Sequence, residues 1–461
     1  MNHKSSKMPP PIVFILLGIL GVFGWYKFKP FSSQGAIEVV GKTASESALI
    51  SRFSSGEKLL IGANASEDKQ QGIDAYEQQD YAQAAAYFKQ SLAQDPNDPE
   101  ALIYLNNARV AAFQPLKIAV VVPIGSNLDV AQEMLRGVAQ SQTEFNQQGG
   151  KLQVQIINDE NNSELAEQIA QTLVQDPKVL AVVGSNASNA SLAAAPIYQE
   201  GKMVMITPTS TSEQLSNYGN YIFRAAPTTD EMANTLAEYV VKTAKRENVA
   251  ICYDSQAVDN VTFKDSFIPA LVAQGGNHIN TQCDLAAPDF NAEIAVNNLI
   301  SSGAEAVLLA PHIDRLNRAI DLAKANNWKM ELLGTFSLDT AKITQSGQGD
   351  LNGVVLPVPF HYQQDSAQDF TARAIKIWGS DVNLTWRTAT SYDATKAIAL
   401  ELSQNPTREA LQENLHNSQL TIAGANSQVE FLPSGDRTLE TALVKVKANP
   451  ERGYYFELLE D

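Results

Sequence analysis

VVGSNASNASLAAAPIYQEGKMVMITPTSTSEQL, residues 182 to 215, carries the reading on which the fold depends. An uncharged run ends at Gly184, the polar residues Ser185, Asn186, Ser188 and Asn189 follow, and an alanine-rich helical stretch runs to Glu200. A second apolar run, MVMIT (203–207), then ends on Pro208, Thr209, Ser210 and Thr211. Strand, polar turn, helix, strand, polar turn is the order of a parallel sheet, whose neighbouring strands are joined by a crossover helix. Runs that are apolar at every position, instead of alternating, mean that both faces of that sheet are covered. The start of the helix presents free N–H groups and the positive end of its dipole, which favour an anion such as a carboxylate. The hydroxyls after MVMIT would add donors beside them. Taken alone, the same serines and asparagines read as ordinary helix caps.

Working outward, the pattern repeats. IAVVV (118–122), LQVQII (152–157) and VLAVVG (179–184) alternate with the helical stretches DVAQEMLRGVAQSQTEF and ELAEQIAQTLV. A second series runs through NVAICY (248–253), HINTQC, AVLLA (306–310), ELLG (331–334) and GVVLPV (353–358). Two series imply two α/β lobes, with the C-terminal strand ends of each facing a shared cleft, where open α/β sheets bind ligands. Nothing in the chain assembles an activated nucleophile: G-x-x-x-x-G-K-[ST], G-x-G-x-x-G after a strand, H-E-x-x-H, C-x-x-C and G-x-S-x-G are all absent. The five histidines (His3, His278, His312, His361, His416) show no metal-ligand spacing. The sequence therefore points to a binding protein that needs no cofactor or metal.

Upstream of the lobes the composition changes. Residues 1–30 hold four lysines (Lys4, Lys7, Lys27, Lys29) and no acid, around the uncharged PIVFILLGILGVFGWY of residues 11–26. At about 1.5 Å per residue this segment reaches across most of a bilayer core and reads as a membrane anchor, with a cleaved signal segment as the alternative. Either reading puts the folded body outside the cytoplasm. Residues 31–66 read as a linker with some ordered segments. Between 67 and 112, apolar residues at three and four spacing, with Asp80 as a cap and Pro96 as a stop, predict an antiparallel helix pair and the start of a third helix. Gly72, Tyr81, Ala84, Phe88 and Pro96 resemble the spacing of a tetratricopeptide repeat, a module that docks protein partners. Cys252 and Cys283 lie in candidate strands, and two buried thiols are the expected state, with a disulfide open if the strands are neighbours. The net charge of −17 argues against a nucleic-acid partner, which requires a concentrated basic surface.

The order of KIAVVVPIG, MLRGVAQS, VVGSNAS, APIYQEGKMVMITPTST, YIFRAAPTTDEMANTLAEYV, SSGAEAVLLA, SYDATKAIALEL and GANSQVEFLPSGDR, spread over 117–461, resembles the type I periplasmic solute-binding proteins of the leucine/isoleucine/valine-binding branch. That resemblance implies a two-lobed fold of parallel sheets covered by helices, with three hinge crossings near Ala226, Val358 and Gly424. Lobe 1 would hold about 117–226 and 359–424, and lobe 2 about 227–358 and 425–461. It implies capture of a small amino-acid-like ligand, without a cofactor, for an ABC transporter permease. Ser188 matches the serine that bonds the ligand carboxylate, Thr209 a backbone contributor and Thr211 the side chain that completes the clamp, with Ser185 and Asn186 beside them. On the opposite lobe, Val258 stands where a ligand-contacting tyrosine is usual, and Thr335, Phe336 and Ser337 where an acid holds the ligand ammonium. Asp339, Asp254 or Asp314 would take that role, with His312 at a strand end facing the cleft. A regulatory docking protein of the same fold, resembling the penicillin-binding-protein activators, is the alternative.

Overall fold

The computed structural model describes residues 46–63, 65–417, 421–449 and 453–459. The apolar segment 11–26 lies outside them, and among the described residues no helix is long and apolar enough to cross a membrane. The first strand, Phe53–Ser54 (β1), precedes three helices, Glu67–Glu77 (α1), Tyr81–Gln94 (α2) and Pro99–Val110 (α3). Ser66, Asp80 and Asp98 cap them by accepting from backbone N–H groups of the first turn. α1 and α2 pack closely because Gly72 leaves room for the Phe88 ring, only 2.7 Å from where a Cβ would stand. α3 is buried almost all round, as a helix wedged between two layers must be.

Two polar clusters tie these helices to one another and to the neighbouring sheet. Asn107 donates to the carbonyls of Val154 and Ser55 and accepts from the Val154 N–H, so one side chain imitates a strand partner. Lys69 pairs with Asp98 at 2.7 Å and with the fully buried Glu100 at 2.8 Å, and Glu100 also accepts from the Leu60 N–H. The segment read as a linker is therefore part of the fold from Phe53 onward, because its backbone groups are taken up by Glu100, Asn107 and a sheet edge.

Lobe 1 consists of Leu116–Val122 (β2), Leu128–Gln147 (α4), Leu152–Asn158 (β3), Ser163–Gln175 (α5), Val179–Val183 (β4), Ser188–Glu200 (α6), Val204–Thr207 (β5) and Ile222–Arg224 (β6). Its sheet runs β1-β3-β2-β4-β5-β6, parallel throughout except for β1. The chain passes at 225–228 into lobe 2: Thr229–Glu238 (α7), Asn248–Tyr253 (β7), Val258–Ala273 (α8), Asn277–His278 (β8), Ala292–Ser301 (α9), Ala306–Ala310 (β9), Leu316–Asn326 (α10), Glu331–Gly334 (β10), Ala341–Ser346 (α11) and Val355–Val358 (β11). It then returns to lobe 1 with Gln368–Trp378 (α12), Trp386–Gln404 (α13), Arg408–Leu415 (α14) and the short pair Ile422–Ala423 (β12) and Gln428–Val429 (β13). Ala442–Asn449 (β14) and Gly453–Leu458 (β15) close the lobe 2 sheet, β15-β14-β11-β10-β9-β7-β8, as antiparallel additions to a parallel core.

Two expectations are corrected. The third passage falls at 438–441 and not near Gly424, because buried ion pairs hold the intervening segment to lobe 1: Arg437 to Asp393 at 2.6 Å and Asp436 to Arg224 at 2.6 Å. Cys252 and Cys283 form a disulfide instead of two thiols. The Tyr253 N–H donates to the Cys283 carbonyl, so the chain beyond β8 still runs beside β7 and brings the two Cα atoms to 4.6 Å.

Candidate functional site

In each lobe the first strand has one successor on either side, β3 and β4 around β2, and β8 and β9 around β7. These are topological switch points, where the loops leaving the strand ends diverge and open a crevice. The loops after β4 and β5 bring Asn186, Ala187 and Thr209 to a cavity between the lobes; the start of α8 and the loops after β9 and β10 bring Asp259, His312, Ile313, Phe336 and Ser337. Trp386 and Arg387, at the start of α13, complete the wall. Gly184 makes the lobe 1 side: its φ is +132° and a Cβ would meet the Val121 carbonyl at 2.5 Å, so no other residue lets β4 turn this close to β2.

The helix α6 starts without a side-chain cap, its N-cap being Ala187. The capping role open to these serines and asparagines is thus unused. Most hydroxyls around it bond one another: Thr207 and Ser191 donate to the Ser185 carbonyl, Ser191 and Ser210 share a bond of 2.7 Å, and Thr209 donates to the Asn186 carbonyl at 2.9 Å. Two do not. The side-chain oxygens of Ser188 and Thr211 are buried and have no hydrogen-bond partner, a condition that buried polar atoms rarely tolerate. Of the lobe 1 residues singled out from sequence, Asn186 and Thr209 line the cavity; Ser188 and Thr211 are not in its wall but follow Ala187 and Thr209 in the chain, with unpartnered hydroxyls. Ser185 is turned away, its hydroxyl facing the buried Asp159, whose carboxyl is pushed up to about 6 by burial.

The lobe 2 acids divide differently. Asp254 is consumed internally, accepting from Arg315 at 2.6 Å and from the Gln256 N–H at 2.9 Å. Asp314 stands 3.4 Å from His312 Nδ1. Asp339 lies outside the cavity wall, and burial pushes its carboxyl up to about 7 although Arg387 opposes the shift. Arg387 donates instead to the Asp339 carbonyl at 2.6 Å, and it pairs with the buried Glu133 at 3.3 Å. His312 is in the wall; burial lowers its proton affinity, but Asp314 and Asp259 outweigh this and raise it. Sequence reasoning missed Asp259, Trp386 and Arg387. The signal for Asp259 was its place in the first turn of the helix after β7; Trp386 and Arg387 had none, since their helix begins far along the chain.

The lobes touch across the cleft. Asn189 of α6 donates to the Gln256 carbonyl at 3.1 Å and accepts from the Val258 N–H at 3.0 Å. Phe336 and Trp386 meet edge to face at 5.6 Å. The cavity they enclose is about 20 Å³, room for a single water, so a larger ligand enters with the lobes apart.

Residues 115–451 match the model of the family described as periplasmic binding protein. The chain belongs to that family. The leucine-specific-binding protein of Salmonella typhimurium is 24% identical over 320 residues, covering 67% of this chain and 85% of the relative. The Leu/Ile/Val-binding protein of Escherichia coli is 22% identical over 334 residues, 70% and 89% of the two chains. Among solved structures, a branched-chain amino acid transporter substrate binding protein from Streptococcus pneumoniae in complex with isoleucine superposes with a TM-score of 0.66 at 16% identity, covering 75% of this chain and 100% of that one. Members of the periplasmic binding protein family are not enzymes, and neither is this chain. Membership also implies a location outside the cytoplasm, where a disulfide such as Cys252–Cys283 persists.

Proposed function

We propose that this periplasmic binding protein is the receptor of an ABC transporter and captures a small amino-acid-like ligand between its lobes. The reading is carried by the unpartnered hydroxyls of Ser188 and Thr211 beside the uncapped start of α6. A ligand carboxylate seated there receives both hydroxyls and the N–H groups of the first helical turn, which carry partial positive charge. Lobe 2 then closes over it, and no bond is made or broken. Several charge-assisted bonds in a site without water are enough for micromolar affinity, about −8 kcal/mol. The relatives named for leucine, isoleucine and valine support an aliphatic amino acid as ligand. We further read residues 11–26 as a membrane tether and helices α1 to α3 as a tetratricopeptide-like module available to a protein partner.

The test is thermal stabilisation by leucine, isoleucine, valine and other amino acids. A hit on the wild type that disappears in Ser188→Ala combined with Thr211→Ala is the expected result. Unchanged stabilisation in the double variant would move the site elsewhere.

A further inference from the structure

We infer that Asp259 receives the ammonium group of the ligand, which makes the cleft selective for α-amino acids over carboxylates that lack the amino group. This rests on the reading of the cleft as an amino-acid receptor. The loop after β10, where the sequence resemblance sets an acid, presents Phe336 and Ser337 to the cavity, so a positive group on the ligand meets no counter-charge there. Asp254 is neutralised by Arg315 and Asp339 is outside the wall. Among the described residues, Asp259 is the one carboxylate lining the cavity.

Its setting suits the role. Asp259 is the second residue of α8, on the wall that faces Asn186, Ala187 and Thr209 of the other lobe. Burial raises the proton affinity of its carboxyl, opposed first by His312 and then by the backbone N–H groups at the helix start. No lysine or arginine pairs with it among the described residues, and a carboxylate offers several acceptor positions. Arg387 is engaged by Glu133, while His312 stands between Asp314 and Asp259, both of which raise its proton affinity. An ammonium brings three donors and a full positive charge to the Asp259 carboxylate. With the carboxylate at the α6 start, the two charged ends of one zwitterion would be held by the starts of two helices from opposite lobes, and the apolar wall of Ile313, Phe336 and Trp386 would meet its side chain.

Isothermal titration of the full chain tests this with L-leucine and its des-amino analogue 4-methylpentanoate as probes. Wild type should bind leucine more tightly than the analogue, and Asp259→Asn should lose about 30-fold in leucine affinity, ~2 kcal/mol, while still melting cooperatively without ligand. Asp259→Glu, which keeps the charge, should retain leucine binding to within about tenfold. Leucine affinity in Asp259→Asn within about threefold of wild type, or wild type binding both probes alike, overturns the inference and leaves the receptor reading standing. Failure of wild type to bind any of the common amino acids overturns the receptor reading, and the inference with it.

Discussion

Asp339 is a carboxyl kept from water, and its proton is correspondingly hard to remove: burial pushes it from the ordinary aspartate range up to about 7. A group that holds its proton more tightly in the folded than in the unfolded chain favours the fold below about pH 4 and loses that advantage as the pH rises through about 7. Asp339→Asn removes the titration. Measured by denaturant unfolding, the variant should gain on wild type across that window by up to a few kcal/mol, and a difference independent of pH would return Asp339 to an ordinary carboxylate. At this scale the placement of a residue is legible where it depends on its own turn: Ser188 and Thr211 follow strand ends, as the order of apolar runs and polar turns predicts. It is illegible where an acid's fate depends on a distant partner. Arg315 removes Asp254 from the candidates, and nothing near Asp254 in the chain announces that.

α4 and α13 cross with their backbones nearly touching, since a Cβ on Gly137 would lie 2.0 Å from the Thr388 carbonyl. Gly137→Ala must push two buried helices apart, and overpacking of this kind costs about 1–3 kcal/mol. A lowered urea midpoint is the expected outcome, and an unchanged one would mean that the helices can separate without loss. The strands and helices themselves were legible from uncharged β-branched runs and amphipathic spacing, including the helices between 67 and 112. HINTQC was not: only Asn277–His278 forms regular strand, and the remainder follows β7 as an irregular edge. The disulfide was obscured for the same reason, because the neighbour relation it needs is set by that irregular segment.

For the whole molecule the informative contacts are those made only when the lobes are together. Asn189 spans the cleft with two hydrogen bonds, each worth about 0.5–1.5 kcal/mol. Asn189→Ala should therefore weaken ligand binding by about 5- to 150-fold and enlarge the radius of gyration in small-angle scattering of the free protein. Identical scattering and affinity would show that these bonds do not hold the lobes closed. The two-lobed plan was readable from the double series of strands and helices. The position of the third passage was not, since it is decided by Arg437 with Asp393 and by Arg224 with Asp436, pairs brought together by the completed fold.

Both rims of the lobe 1 sheet are finished by chain from far away. β1 pairs with β3 at one rim, and at the other the segment through Asp436 bridges to Arg224 of β6. A bare strand rim is a template on which another chain can build. With part of each rim occupied from within, lobe 1 offers a neighbouring copy less bare backbone on which to add a strand when it parts from lobe 2.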